Sequence, residues 1–215
     1  MQTIYLIRHA QSHLTSTEHY SRWPLSPRGR KQAAALAPLL ATLQVEKVYS
    51  SAYTRCLDTI RPFAERNRLD LSLDRGLEER VIAKGLLSNF DEVWRRSWND
   101  FDFALPDCES SAAAQHRFCE AVRKIVHQNP GSILGVSSHG SVIALFLNSI
   151  DKLFSREQAD KLRNPDVIKI IATENGFDWD RDFCLPGLDD IASPYHATPI
   201  DFTDKAENCD STQFS

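Results

Sequence analysis

The chain has 215 residues, 42% of them hydrophobic, with 25 basic side chains against 29 acidic ones and a formal net charge of −4. That length and apolar content suit one globular domain with a sizeable core and exclude a disordered chain. The slightly acidic balance excludes a general nucleic-acid surface, so any basic site has to be local. No apolar run approaches the roughly 20 residues that span a bilayer, the longest candidate being 142–147. The N-terminal apolar run is too short for a signal peptide and has no basic flank before it. The five cysteines are an odd number without a close CxxC pair, which argues against a disulfide framework and a cysteine-type zinc site. A cytoplasmic address is therefore expected.

In chain order, residues 2–7 alternate and then run apolar, the pattern of a central strand, and Arg8 and His9 follow where it ends. Residues 11–23 read as a polar loop. Its His13 stands four residues after His9, a spacing that suits two metal ligands on a helix, but the strand-like context and the lack of a third ligand weigh against a metal site. Ser26-Pro27 opens a helix with a serine N-cap and a proline at the first helical position, and Ala33, Leu36, Leu39, Leu40 and Leu43 give it an apolar stripe. Residues 45–49 read as a second strand, and Ser50-Ser51 is expected to cap the helix that follows, over about residues 52–66. Arg55 then falls in the first turn, where backbone N–H groups and the helix dipole favour an anion; spacing alone leaves a solvated surface arginine equally open.

Residues 69–73 form a short strand and 74–80 the loop after it. Glu78 and Glu79 are adjacent and point in different directions, so at most one is expected to enter a site. Residues 81–107 lose periodicity and concentrate Phe90, Trp94, Trp98, Phe101 and Phe103, which suggests an inserted cap packed over the core. Arg95 and Arg96, between two tryptophans, would suit an acidic substrate group. A helix over 110–127 buries Phe118, Val122, Ile125 and Val126, and Asn129-Pro130-Gly131 stops it. Residues 132–137 form a strand that leads to His139, 140–150 an apolar helix, and 167–172 a last strong strand. The chain turns polar after about 188, and 204–215 is expected to be a mobile tail. The alternation predicts a three-layer α/β/α sandwich with a mostly parallel sheet, a small inserted cap at about 81–108, one domain over 1–188 and a polar tail over 189–215. Two strands end at histidines, and the carboxyl edge of such a sheet is where distant side chains meet.

Leu6-Ile7-Arg8-His9-Ala10-Gln11-Ser12 resembles the Arg-His-Gly signature of the histidine phosphatase superfamily, the phosphoglycerate mutase-like family, with Ala10 in place of the usual glycine. Further signatures follow in family order: Leu25-Ser26-Pro27-Arg28-Gly29, Ser50-Ser51-Ala52-Tyr53-Thr54-Arg55, Leu77-Glu78-Glu79-Arg80, Pro106-Asp107-Cys108-Glu109-Ser110 and Ser138-His139-Gly140. The resemblance implies His9 as a nucleophile that becomes a phosphohistidine, Arg8 and Arg55 as forked phosphate binders, His139 as the second histidine on the phosphoryl group, and Glu79 as general acid, with Glu78 as the fallback for that role. Thr15 stands where many relatives place a phosphate-binding asparagine. Cys108 and Ser141 replace glycines, and neither removes the catalytic set.

The implied activity is hydrolysis of a small phosphate monoester, without metal or cofactor and without nucleic-acid or membrane partners. The alternative within the family is a 2,3-bisphosphoglycerate-dependent phosphoglycerate mutase, since Trp94-Arg95-Arg96-Ser97 resembles a stretch that mutases use to hold the substrate carboxylate. The chain between Glu79 and Pro106 is short for that role. A non-catalytic phospho-ligand binding module is the alternative of another class. The substrate and the oligomeric state are open in the sequence.

Overall fold

The apolar run at the start of the chain forms β1 (Gln2–Arg8) at the middle of a sheet in the computed structural model, which describes residues 1–194. The remaining strands are β2 (Lys47–Ser50), β3 (Leu71–Leu73), β4 (Leu134–Ser138), β5 (Arg163–Asn164), β6 (Asp166–Thr173), β7 (Gly176–Asp180) and β8 (Ser193–Pro194). The main sheet has the order β3-β2-β4-β1-β6-β7. Its first four strands are parallel, whereas β6 and β7 run antiparallel at one side. In β1, Ile4 pairs with Leu134 of β4 on one side and with Ile170 of β6 on the other.

Because side chains alternate across a strand, Ile4 and Leu6 face one layer while Tyr5 and Ile7 face the other. The helices are α1 (Pro27–Ala41), α2 (Thr54–Asn67), α3 (Phe90–Asn99), α4 (Ser111–Gln128), α5 (Gly140–Ile150), α6 (Arg156–Ala159) and α7 (Leu188–Ile191). Tyr5 and Ile7 pack with Leu36 and Leu40 of α1 and Ile60 and Phe63 of α2. Ile4 and Leu6 pack with Phe118 and Ile125 of α4 and Phe146 of α5. Each such fully buried side chain contributes about 1.5–3 kcal/mol, so the two apolar layers hold the sheet between them. This is the expected three-layer α/β/α sandwich.

Local signals set several boundaries. Ser26 Oγ accepts the Gly29 N–H at 2.9 Å as the N-cap of α1. Gly29 also has a steric reason to be glycine: a Cβ there would lie 2.0 Å from the Gln11 carbonyl oxygen, which accepts the Ser26 N–H at 2.9 Å. Ser110 caps α4 in the same way, accepting the Ala113 N–H at 3.2 Å.

Other expectations are corrected. Ser50 and Ser51 do not cap a helix: α2 begins at Thr54 after Tyr53, which makes no side-chain cap bond, and both serines are fully buried. The stretch at 81–107 contains a regular helix, α3, whose Trp94 and Trp98, with Phe101 beyond its end, pack against the layer built on α4 and α5. Strand β7 was not expected, although Phe177 and Trp179 alternate with Asp178 and Asp180 along it. The packed body also runs past residue 188. Leu188 and Ile191 join the layer with α1, and β8 pairs with β5, so the boundary placed at 189 falls inside folded structure. The tail expected over 204–215 lies outside the described residues. No helix among the described residues is long and apolar enough to cross a membrane.

Candidate active site

Arg8 of β1 stands opposite Ser138 of β4 in the parallel register. His9 and His139, one residue further on each strand, therefore leave the sheet side by side, with ring centroids 5.3 Å apart. The His9 N–H donates to the Ser138 carbonyl at 3.1 Å, which fixes the two strand ends together. The backbone beyond is held as firmly: Asn164 Nδ2 donates to the His9 carbonyl at 2.7 Å and the Ala10 N–H donates to Thr59 Oγ1 at 2.9 Å.

His9 Nδ1 lies 2.7 Å from the Ala10 carbonyl oxygen. A carbonyl can only accept, so the hydrogen-bond network assigns the proton to Nδ1 and leaves the lone pair on Nε2. Arg55 Nε donates to that lone pair at 3.2 Å. Burial, and then the charges of Arg55 and Arg8, hold His9 well below its ordinary value of 6.5, so the ring is neutral at pH 7.

Both arginines are buried. Arg8 Nη1 donates to the Leu162 carbonyl at 2.7 Å. Its guanidinium lies over Gly140 at the start of α5, where a Cβ would come within 2.6 Å of Arg8 Cζ. Glycine at that position lets a cation rest against a helix N-terminus, and the two together make a site for an anion. Arg55, in the first turn of α2, donates through Nη1 to the Tyr20 carbonyl at 2.7 Å and lies 5.0 Å over the Tyr53 ring.

His139 is fully buried, and its Nε2 lies 2.8 Å from Ser51 Oγ. Burial, then Arg55, His9 and Arg8, hold it well below 6.5. Cys56 Sγ is 3.3 Å from the same Nε2 and donates to the Ser138 carbonyl at 3.2 Å. Burial pushes the Cys56 thiol up to about 12, so it stays a neutral donor. Tyr53 meets the His139 ring edge-on at 5.0 Å.

The Glu79 carboxylate sits on the first turn of α5, accepting from the Ser141 and Val142 N–H groups at 3.3 Å each and from the Arg80 N–H at 2.9 Å. It also lines a cleft of about 690 Å³, together with Tyr20, Tyr53, Glu78, Lys84 and Arg117. Glu78 and Glu79 thus both face the cleft, against the expectation that only one would. The extended backbone at Glu78 (φ −66°, ψ 156°), at the end of a 3-10 turn, keeps both at the wall. Arg8, His9, Arg55 and His139 are not among the lining residues. Tyr53 connects the two regions, since it lines the cleft and touches His139 and Arg55.

Thr15 Oγ1 is engaged within its own loop, bonded to Thr17 Oγ1 at 2.7 Å and to the Thr17 N–H at 3.1 Å. Arg95 and Arg96 are exposed on α3 and line no part of the cleft; Arg96 Cζ lies 3.9 Å over the Phe103 ring. His13 is exposed while His9 is buried. Among the described residues no group of three or more histidine, cysteine, aspartate and glutamate side chains is placed to hold a metal ion.

Sequence reasoning gave no site role to Arg80 or to Arg117, the second of which lines the cleft with Glu79. Arg80, almost wholly buried, donates to the Glu109 carbonyl at 2.9 Å and to Ser111 Oγ at 2.7 Å. Arg117 makes a two-point pair with Glu109 at 2.8 and 2.7 Å and donates to the Gly76 and Glu78 carbonyls.

Fold and site together define an α/β protein with a histidine–arginine cluster at the carboxyl edge of its sheet. The chain belongs to the histidine phosphatase superfamily (branch 1), whose family model matches residues 4–181. It is 28% identical over 182 residues to a probable phosphoglycerate mutase of Enterobacter sp. (strain 638), covering 79% of this chain and 85% of that protein. It is 29% identical over 139 residues to phosphoserine phosphatase 1 of Hydrogenobacter thermophilus, covering 58% of this chain and 65% of that protein. The solved structure of a mycobacterial glucosyl-3-phosphoglycerate phosphatase shares the fold, with a TM-score of 0.70 at 23% identity over 83% of this chain and 96% of that one.

Proposed function

We propose that the chain is a cytoplasmic phosphomonoester hydrolase that works through a phosphohistidine on His9, with Glu79 as general acid and without metal. The observation that carries this reading is the bond from His9 Nδ1 to the Ala10 carbonyl at 2.7 Å, which leaves a neutral Nε2 lone pair among buried cations. In the first step Nε2 attacks phosphorus, the N–P bond forms as the ester O–P bond breaks, and Glu79 gives its proton to the leaving alcohol. Arg8, Arg55 and His139 hold the equatorial oxygens. In the second step water attacks the phosphohistidine, Glu79 takes the water's proton, and inorganic phosphate leaves as Nε2 recovers its lone pair.

Likeness to a probable phosphoglycerate mutase is the observation that favours the mutase reading. The exposed position of Arg95 and Arg96, away from the cleft, speaks for hydrolysis, because the carboxylate contact suggested by the mutase-like stretch would need them at the substrate.

The test is phosphate release from a panel of small esters, including 3-phosphoglycerate with and without 2,3-bisphosphoglycerate, with His9→Ala as the blank. Release that survives EDTA and disappears in His9→Ala is expected. Turnover retained by His9→Ala would displace it as nucleophile. Isomerisation that depends on bisphosphoglycerate would establish a mutase, and ester binding without turnover a binding module.

A further inference from the structure

The cleft beside Glu79 has an unusual distribution of charge for a site that receives phosphate esters. Its wall carries the cations Arg75, Lys84 and Arg117 and the carboxylates Glu78, Glu79, Asp107 and Glu109. Arg117 is committed to Glu109 and to two main-chain carbonyls, and Lys84 is paired with Asp107 at 3.0 Å. Arg75 is exposed at the rim, where solvent screens it. On the acidic side, Glu79 is held by three backbone N–H groups. Glu78 is half-buried and lines the cleft, and among the described residues no donor reaches its carboxylate within hydrogen-bond distance. Tyr53 lines the same cleft and touches His139 and Arg55. Glu78 therefore shares a cleft wall with Tyr53, the lining residue that reaches the histidine–arginine cluster.

We infer that Glu78 determines specificity on the alcohol side of the cleft, receiving an ammonium group, so that the preferred esters are phosphates of amino alcohols rather than of hydroxy acids or of diols bearing a second phosphate. This rests on the proposed reading of the phosphoryl site at His9. With Arg117 paired to Glu109 and Lys84 to Asp107, the remaining cation of the cleft is the solvent-exposed Arg75, whereas Glu78 is half-buried with no donor on its carboxylate among the described residues. A second anion on the substrate meets repulsion there, and a cation meets an unpaired carboxylate.

The probes are three esters of nearly equal size: O-phosphoethanolamine, n-propyl phosphate and 3-phosphonooxypropanoate, which end in an ammonium, a methyl and a carboxylate. Their binding is measured by calorimetry on the His9→Ala protein, in which no turnover intervenes, and kcat/KM is measured separately on the wild type. The expected order is ammonium, methyl, carboxylate, with roughly tenfold between the first two. Glu78→Gln should close that gap and Glu78→Lys should move the carboxylate to the front. Equal binding of all three, failure of the ammonium ester to bind, or a gap that survives Glu78→Gln overturns the inference. Turnover without the order overturns it while leaving the hydrolase reading intact; ordered binding without turnover does the reverse.

Discussion

Replacing Gly140 by alanine tests whether the phosphate site depends on Arg8 lying against the start of α5. The new methyl would lie 2.6 Å from Arg8 Cζ, 2.7 Å from Nη2 and 2.8 Å from Nε, well inside the roughly 3.5–4.0 Å of an ordinary carbon contact. The guanidinium is not free to slide aside, because it is 6% exposed and Nη1 is bonded to the Leu162 carbonyl. Alanine gains at most about 1 kcal/mol of helix propensity over glycine in a helix interior, and less in a first turn. Against that stand about 1–3 kcal/mol for overpacking and about 1.5–3 kcal/mol for loosening a charged hydrogen bond. The losses win, and Gly140→Ala should lower stability by about 1.5–6 kcal/mol in urea unfolding. Displacement of Arg8 should also raise the inhibition constant of inorganic phosphate, measured against p-nitrophenyl phosphate, by roughly tenfold or more, since each factor of ten needs only about 1.4 kcal/mol. Stability within about 0.5 kcal/mol of wild type together with an unchanged phosphate constant would refute the reasoning.

Three further outcomes are expected. His9 and His139 are both held neutral below 6.5 when folded and bind protons more readily when unfolded, so their contribution to stability is present above pH 6.5 and is lost as pH falls through it. The limiting slope is about 1.4 kcal/mol per pH unit for each histidine, and urea midpoints at pH 7.5, 6.5 and 5.5 should drop across both intervals and more steeply across the second; a flat profile would contradict the assignment. Glu79→Gln should slow alkyl phosphates by roughly 10²–10⁴-fold but p-nitrophenyl phosphate far less, because p-nitrophenolate departs without a proton, and equal slowing of both would assign the acid elsewhere. Arg80→Met removes the donors to the Glu109 carbonyl and Ser111 Oγ from an almost wholly buried position, and should cost roughly 2–4 kcal/mol in a thermal or urea melt; a loss under about 0.5 kcal/mol would mean that those acceptors find water instead.

How much of this was legible follows from the range of each interaction. The caps Ser26 and Ser110, the apolar alternation of β1 and the uniformly apolar α5 are determined within a few neighbouring residues, and the sequence by itself determined them. It also marked Arg8, His9, Arg55, Glu79 and His139, because strand-to-helix transitions and short motifs carry them. Tertiary structure decided the rest. Ser51 looks like a helix cap from its neighbours alone, but the parallel pairing of β2 with β4 carries it to His139, 88 positions away along the chain. Arg80 and Arg117 carry no local signal of their partners, which are the carbonyls of Glu109 for the first and of Gly76 and Glu78, 41 and 39 positions away, for the second. Arg95 and Arg96 carry the opposite lesson. They sit beside tryptophans in sequence, yet α3 turns the aromatic side chains inward against α4 and α5 and leaves both arginines outside the cleft, since a helix separates neighbouring residues onto different faces. Local chemistry names the groups that can react; which of them share a wall is set by how strands and helices distant in sequence pack.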